Sequence, residues 1–166
     1  MNKALSEMFR YNAWANRELF RSCRSLSDEQ LDSRVPGTSG SVRELLLHIV
    51  GAQQTFILRT KGRQHEGELD RKSPWPGIDA LIDLAESTSQ ELIAIAENLD
   101  DGEEVDLPYM GKRYRYPKRF FLVHTIAHSA EHRTEVKVAL AHIGVETPDL
   151  DGWFYADFAG YGSVVD

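Results

Sequence analysis

Three histidines are spaced so that their side chains lie along one face of a helix. His124, His128 and His132 follow one another at intervals of four residues, and apolar residues share that face, which is expected to point into the protein. Three stacked imidazoles on such a face would lack hydrogen-bond acceptors, and a bound cation removes that difficulty. Because an i, i+4 pair brings two ring nitrogens to one ion, His128 and His132 are predicted to hold a divalent metal.

A third ligand is expected from a histidine in another apolar segment. His48 lies in the middle of the apolar residues 45–50, where a lone imidazole would need a partner. The two remaining histidines are His65, in a charged loop, and His142, near a helix end, and both are expected to be solvated. The predicted metal ligands are therefore His48, His128 and His132, around one divalent ion.

The segment His-Ser-Ala-Glu-His at residues 128–132 also matches the H-x-x-E-H motif of inverted zinc peptidases. Such peptidases need a distant downstream carboxylate ligand and a larger scaffold, whereas only 34 residues follow His132, with Glu135 and Glu146 as their only glutamates. Proteolysis is therefore disfavoured. Glu131 remains a candidate catalytic residue because it lies close enough to His128 to hold a water at the metal; the alternative is a solvated helix glutamate.

Four long helical segments are predicted to position these histidines. Apolar residues recur at helical spacing, and breaker residues separate the segments, over residues 2–26, 42–60, 78–99 and 120–143. Ser41 and Glu44 form a capping box that begins the second helix. Residues 100–117 alternate apolar and charged side chains and predict a small hairpin, and the tail is expected to contain one short helix. The sequence thus predicts an all-α four-helix bundle, with a hairpin between helices 3 and 4, in a single domain over residues 1–166.

Two amide side chains fall on the apolar stripe of the first helix. Asn12 and Asn16 lie between Phe9 and Leu19, where a core helix normally carries aliphatic residues. Buried amides need hydrogen-bond partners. They are interpreted either as satisfying backbone groups of a neighbouring segment or as lining a polar cavity.

Composition limits the partners and the compartment. The 19 basic residues against 26 acidic ones leave a net charge of −7, which disfavours nucleic-acid binding. The only basic cluster, residues 112–119, is interpreted as the solvated face of the hairpin or as a recognition site for a carboxylate or phosphate. The single Cys23 points to a reducing, cytoplasmic location and is expected to be a small buried residue rather than a nucleophile. No signal peptide, membrane span or membrane partner is expected, because no stretch of 18 apolar residues occurs.

Three segments resemble the DinB/YfiT-like family of metal-dependent enzymes. Residues 9–16 resemble its first-helix signature, residues 41–51 its second-helix segment ending near a ligand histidine, and residues 124–133 its fourth-helix motif; residues 149–156 are similar to its C-terminal segment. The resemblance implies an up-down-down-up four-helix bundle. It also implies a divalent metal, often zinc or nickel, bound by His48, His128 and His132, with His124 outside the ligand set.

The resemblance also suggests a reaction. Characterised relatives include transferases of low-molecular-weight thiols and a thiol-dependent isomerase. These relatives favour transfer of a thiol co-substrate to a small electrophilic molecule. The chain could form a homodimer. A metal-binding or ligand-sensing module without turnover and a metal-dependent hydrolase remain alternatives. Many members read His-Arg-Gly-Gln at the fourth-helix motif, whereas Thr134 and Glu135 follow Arg133 here. The departure bears on the substrate role of those two positions and not on the metal ligands.

Overall fold

Four long helices, two short helices and one hairpin make up the part of the chain that the computed structural model describes, residues 3–64 and 66–163. In chain order the elements are α1 (Lys3–Ser22), α2 (Asp28–Leu31), α3 (Val42–Thr60), α4 (Ile78–Asn98), β1 (Glu104–Tyr109), β2 (Lys112–Pro117), α5 (Lys118–His142) and α6 (Gly152–Ala159). The long helices form the all-α, up-down-down-up bundle that the resemblance implies, and the hairpin lies between the third and fourth of them. None of the described helices is long and apolar enough to cross a membrane.

The long helices pack on partners that are not all sequence neighbours. Helix α1 packs mainly on α4 and α3 mainly on α5, with further contacts between α3 and α4 and between α1 and α5. Because α3 and α5 come from separate halves of the chain, their contact brings the segment around His48 to the histidine-bearing face of α5.

Local signals start the helices close to the predicted positions. The capping box of Ser41 and Glu44 is present, and α3 spans the predicted residues. A second capping box, of Ser27 and Gln30, starts α2. Helix α1 ends at Ser22, four residues before the predicted end, because the amide groups of residues 23 and 24 donate to carbonyls three residues back and tighten the last turn.

The hairpin is closed by a two-residue turn. Strands β1 and β2 are antiparallel, with Tyr109 opposite Lys112, so Met110 and Gly111 form the turn. Both residues have positive φ angles, 47° and 76°, which match the right-handed twist of a tight hairpin. The backbone amide of Lys118 donates to the carbonyl of Glu103, which ties the base of the hairpin to the start of α5.

Two apolar clusters hold the bundle together. The larger one joins α1, α3, α4, α5 and the tail, and the smaller one is built around Phe9, Leu92 and Leu122. Burying one such side chain contributes about 1.5–3 kcal/mol, so the clusters supply most of the stabilisation. The tail helix α6 packs against α1, where Tyr155 lies edge-on to Tyr11 with ring centroids 5.4 Å apart.

Close packing of a loop on α3 depends on Gly51. A Cβ atom at this position would lie 1.8 Å from the carbonyl oxygen of Leu69, so only glycine allows the loop before α4 to lie against the helix. The amide of Leu69 donates to Oε1 of Gln54 at 3.1 Å. The loop is thereby held beside α3, and it carries Arg71 towards the histidines.

Candidate metal centre

Three imidazoles converge between α3 and α5. His48 lies on α3, and His128 and His132 lie one turn apart on α5. The ring centroids are 4.8 Å apart for His48 and His128, 4.6 Å for His48 and His132, and 4.4 Å for His128 and His132. One nitrogen from each ring lies within 4.8 Å of the other two. The fold thus brings together the three residues that were predicted as ligands.

The protonation of two of these rings suits a cation. Burial, followed by nearby positive charge, lowers the pKa of both His48 and His128 to about 4. For His48 the next cause after burial is the guanidinium of Arg71, while Glu135 acts in the opposite direction. Both imidazoles are therefore neutral at pH 7, which is the form that binds metals.

An unpartnered nitrogen supports the same interpretation. Nδ1 of His128 is buried and has no hydrogen-bond partner among the described residues. A buried polar atom without a partner costs about 1–3 kcal/mol, so it calls for a ligand or water. A divalent ion fits a site of three imidazoles from two helices, since zinc commonly takes three protein ligands and keeps one position open.

A chain of hydrogen bonds supports His132 from behind. Its Nδ1 lies 2.8 Å from Oε2 of Glu135, whose carboxylate also accepts from the amide and the hydroxyl of Ser39 at 3.2 and 2.8 Å. Arg71 donates to the carbonyl and the hydroxyl oxygens of Ser39 at 3.1 and 3.0 Å. With Nδ1–H donated to Glu135, Nε2 of His132 is left with a lone pair for an ion.

These supporting residues were not predicted. Glu135 lies three positions after His132, a spacing at which helix side chains meet, and that was the signal available for it. Ser39 and Arg71 lie in loops before and after α3, so nothing in their local sequence indicates that they approach the histidines. Only the tertiary structure, in which Ser39 contacts Glu135 of α5 and Arg71 contacts Ser39, reveals these hydrogen bonds.

His124 lies outside the cluster. The expectation that all three histidines of α5 face the interior is wrong for this residue, because it is one turn nearer the start of the helix and its side chain is exposed. Its ring packs edge-on against Phe56, with centroids 4.7 Å apart, and lies 5.9 Å from the ring of Phe120. Its position agrees with the resemblance, which left it out of the ligand set.

Glu131 is exposed on α5, next to His132 in the sequence. No hydrogen bond or ion pair joins its carboxylate to another residue in the described ranges. Its role as a catalytic residue stays a prediction. Among the other histidines, His142 is exposed as expected, and His65 lies outside the described residues.

The side chains of Asn12 and Asn16 on α1 have neither of the two roles that the sequence suggested for them. Their side-chain oxygens accept hydrogen bonds from Nη1 of Arg133, at 2.6 Å for Asn12 and 2.7 Å for Asn16. Arg133 is 4% exposed, and burial lowers its pKa to about 10. The sequence-based interpretations missed this arrangement because the partner comes from a helix more than a hundred residues away.

The remaining candidates behave as structural residues. Cys23 is buried, and burial raises the pKa of its thiol to about 12, which disfavours a thiolate nucleophile. In the basic stretch, Arg115 pairs with Asp106 at 2.8 Å and Lys118 with Glu103 at 2.7 Å. Its arginines are exposed, which favours the solvated-face interpretation.

Comparisons with known proteins agree with this architecture. The model of the DinB family matches residues 1–163. A DinB-like protein from Bacillus cereus ATCC 10987 is 20% identical, with a TM-score of 0.66 over 90% of this chain and 99% of that one. A DinB-like protein from Bacillus subtilis is 22% identical, with a TM-score of 0.60 over the same shares. Both similarities concern the fold. No functionally curated protein matches the sequence.

Proposed function

Because the chain belongs to the DinB family, we propose that it is a metal-dependent enzyme that activates a low-molecular-weight thiol for transfer to a small electrophile. His48, His128 and His132 would hold one divalent ion, zinc or nickel. The proposal depends above all on one observation, the convergence of three imidazoles from two helices, with one nitrogen of each ring within 4.8 Å of the others.

The chain's residues prepare this site in two ways. Burial keeps His48 and His128 neutral, so neither has to lose a proton at pH 7 before it can act as a ligand. Glu135 orients His132 through Nδ1 and leaves the other ring nitrogen directed away from the carboxylate. His48, His128 and His132 would hold a divalent ion through three neutral imidazoles, and such an ion would supply acidification of a water or a thiol at the site.

The hydrogen bonds already made by the Glu135 carboxylate favour thiol transfer over hydrolysis. A hydrolase needs a carboxylate or imidazole that is free to take a proton from water. Both oxygens of Glu135 already accept hydrogen bonds, one from the amide of Ser39 and the other from the Ser39 hydroxyl and His132. Hydrolysis would therefore depend on the exposed Glu131, whereas thiol transfer requires no base from the protein.

A metal-binding or ligand-sensing module without turnover is the second candidate. It would use the same three histidines, so metal content alone does not separate it from an enzyme. Two of the proposed ligands are half-buried and one is buried, which suits either case. We also propose, from composition and resemblance, a cytoplasmic protein that takes a small-molecule substrate, does not bind nucleic acid and could form a homodimer.

The test combines metal binding with turnover. Protein purified without a histidine tag would be titrated with Zn²⁺ and Ni²⁺ against a competing chelator, and the loaded form screened for conjugation of small thiols to electrophiles. His128→Ala should abolish both properties. His124→Ala is the matched control, because His124 lies on the same helix but outside the cluster, and it should retain both. Absence of metal binding by the unaltered protein would overturn the proposal, and metal binding without any thiol conjugation would favour the module.

A further inference from the structure

A cavity of about 490 Å³ lies where the end of α3, the hairpin and the start of α5 meet. Its walls are largely apolar and include four aromatic rings, Tyr109 and Tyr116 from the hairpin and Phe120 and Phe121 from α5. The volume is within the range of about 300–1,000 Å³ that is typical of sites for small molecules. Flat apolar walls of this kind suit a flat apolar ligand, because offset and edge-on ring contacts add to the stabilisation from buried area.

The aromatic wall of this cavity continues to the candidate metal centre. The ring of Phe120 lies 5.9 Å from that of His124, and His124 lies 5.6 Å from His128. On the α3 side, Phe56 contacts both Phe121, at 6.5 Å, and His128, at 6.1 Å. Two rings, one in the wall and one behind it, therefore separate a molecule in the cavity from His128 on either side.

One positive charge at the cavity is not neutralised by the protein. Arg59, on the last turn of α3, lines the cavity and lies over the ring of Phe56, with its guanidinium carbon 5.7 Å from the centroid. No described carboxylate forms an ion pair with it. Arg63, the other arginine of the lining, is paired with Glu66. Arg59 therefore has its planar donor groups available for an anion from solution.

We propose that this cavity is a separate binding site for an aromatic carboxylic acid, whose carboxylate pairs with Arg59. None of the three histidines of the candidate metal centre lines the cavity, so the binding requires no metal and does not depend on the proposed function. The aromatic body lies among Tyr116, Phe120 and Phe121, and the carboxylate lies at the end of α3. Arg59 selects the acid over neutral aromatic molecules.

Binding of two matched probes tests this assignment without any metal. Metal-free protein would be titrated calorimetrically with 2-naphthoate and with its neutral analogue 2-naphthamide. The acid should bind about tenfold more tightly, which corresponds to about 1.4 kcal/mol, the lower range for a charge-assisted hydrogen bond. Arg59→Gln should remove that difference and leave the affinity for the amide unchanged. Phe120→Ala, at an exposed position, should weaken both probes alike.

Lys61→Gln is the matched control for net charge. Lys61 follows directly after α3 but pairs with Glu91 and does not line this cavity, so its loss should change neither affinity. Equal binding of the two probes, an acid preference that survives Arg59→Gln, or no binding of either probe at about millimolar concentration would overturn the proposal. Because the measurement uses metal-free protein, Arg59-dependent binding would stand even if no thiol transfer were found.

Discussion

Nδ1 of His132 lies 2.8 Å from the carboxylate of Glu135, one turn further along the same helix. Glu135 is also the residue that replaces the glutamine of the His-Arg-Gly-Gln pattern found in many members of the family. The carboxylate, anchored by Ser39, orients the imidazole and increases its basicity, which strengthens a metal ligand. Helix α5 thus supplies both a candidate ligand and the group that supports it.

Glu135→Gln should lower metal affinity by about tenfold, the lower end of the effect of such supporting groups. The amide keeps the size and one acceptor oxygen of the carboxylate but removes the negative charge that strengthens His132. Zn²⁺ affinity measured with a competing chelator checks this expectation. Glu131→Gln is the control, because it removes the same charge from an exposed position of the same helix. Unchanged affinity in Glu135→Gln would mean that the contact with His132 is structural only.

His128→Ala and Glu131→Gln should have separate phenotypes. The first removes a proposed ligand and should abolish metal binding, whereas the second removes at most a proton acceptor and should leave the metal in place. In a thiol transferase, Glu131→Gln should retain most of the rate of thiol conjugation. A hydrolase that relies on Glu131 as a base would instead lose about 10²- to 10⁴-fold in rate. Loss of metal from Glu131→Gln would count against the ligand set of His48, His128 and His132.

The metal-free protein should become less stable as the pH falls from about 6.5 towards 4. Burial lowers the pKa of His48 and His128 to about 4 in the folded state, against about 6.5 in the unfolded chain. Between these values the unfolded chain binds more protons at these two residues, so their contribution to the free energy of unfolding decreases with falling pH and levels off below pH 4. Urea unfolding in the presence of a chelator measures it. His128→Gln should reduce the pH dependence of the free energy of unfolding. If the free energy of unfolding of this variant changed with pH as steeply as that of the unaltered protein, the lowered pKa of His128 would be contradicted.

Gly51→Ala should destabilise the protein by about 1–3 kcal/mol despite the higher helix propensity of alanine. The added methyl group would overlap the carbonyl oxygen of Leu69, so the loop that carries Arg71 must move. Gly152→Ala is the control, since nothing lies within 4 Å of a Cβ atom there, and it should change the unfolding free energy by less than about 0.5 kcal/mol. Urea midpoints of the two variants should separate accordingly, and equal midpoints would show that the loop adapts at no cost.

Local patterns in the sequence were sufficient for the elements and for the choice of histidines. The helical periodicity and the capping box of Ser41 and Glu44 predicted α3 to the residue, because both signals act within a few positions of the chain. The spacing of His128 and His132 placed them one turn apart, since helix geometry alone determines that relationship. His48 could be identified because an imidazole in an apolar segment needs a partner.

The tertiary structure alone decided which groups support the site and that His124 is exposed. Asn12 and Asn16 pair with Arg133 because α1 and α5 pack together, and no local pattern records a contact between residues so far apart in the chain. Ser39 reaches Glu135 in the same way, from a loop outside the helices. His124 has the same spacing as His128 and His132, but its exposure depends on where α3 passes α5. Spacing along a helix determines the direction in which side chains point, whereas their burial depends on the elements that pack against the helix.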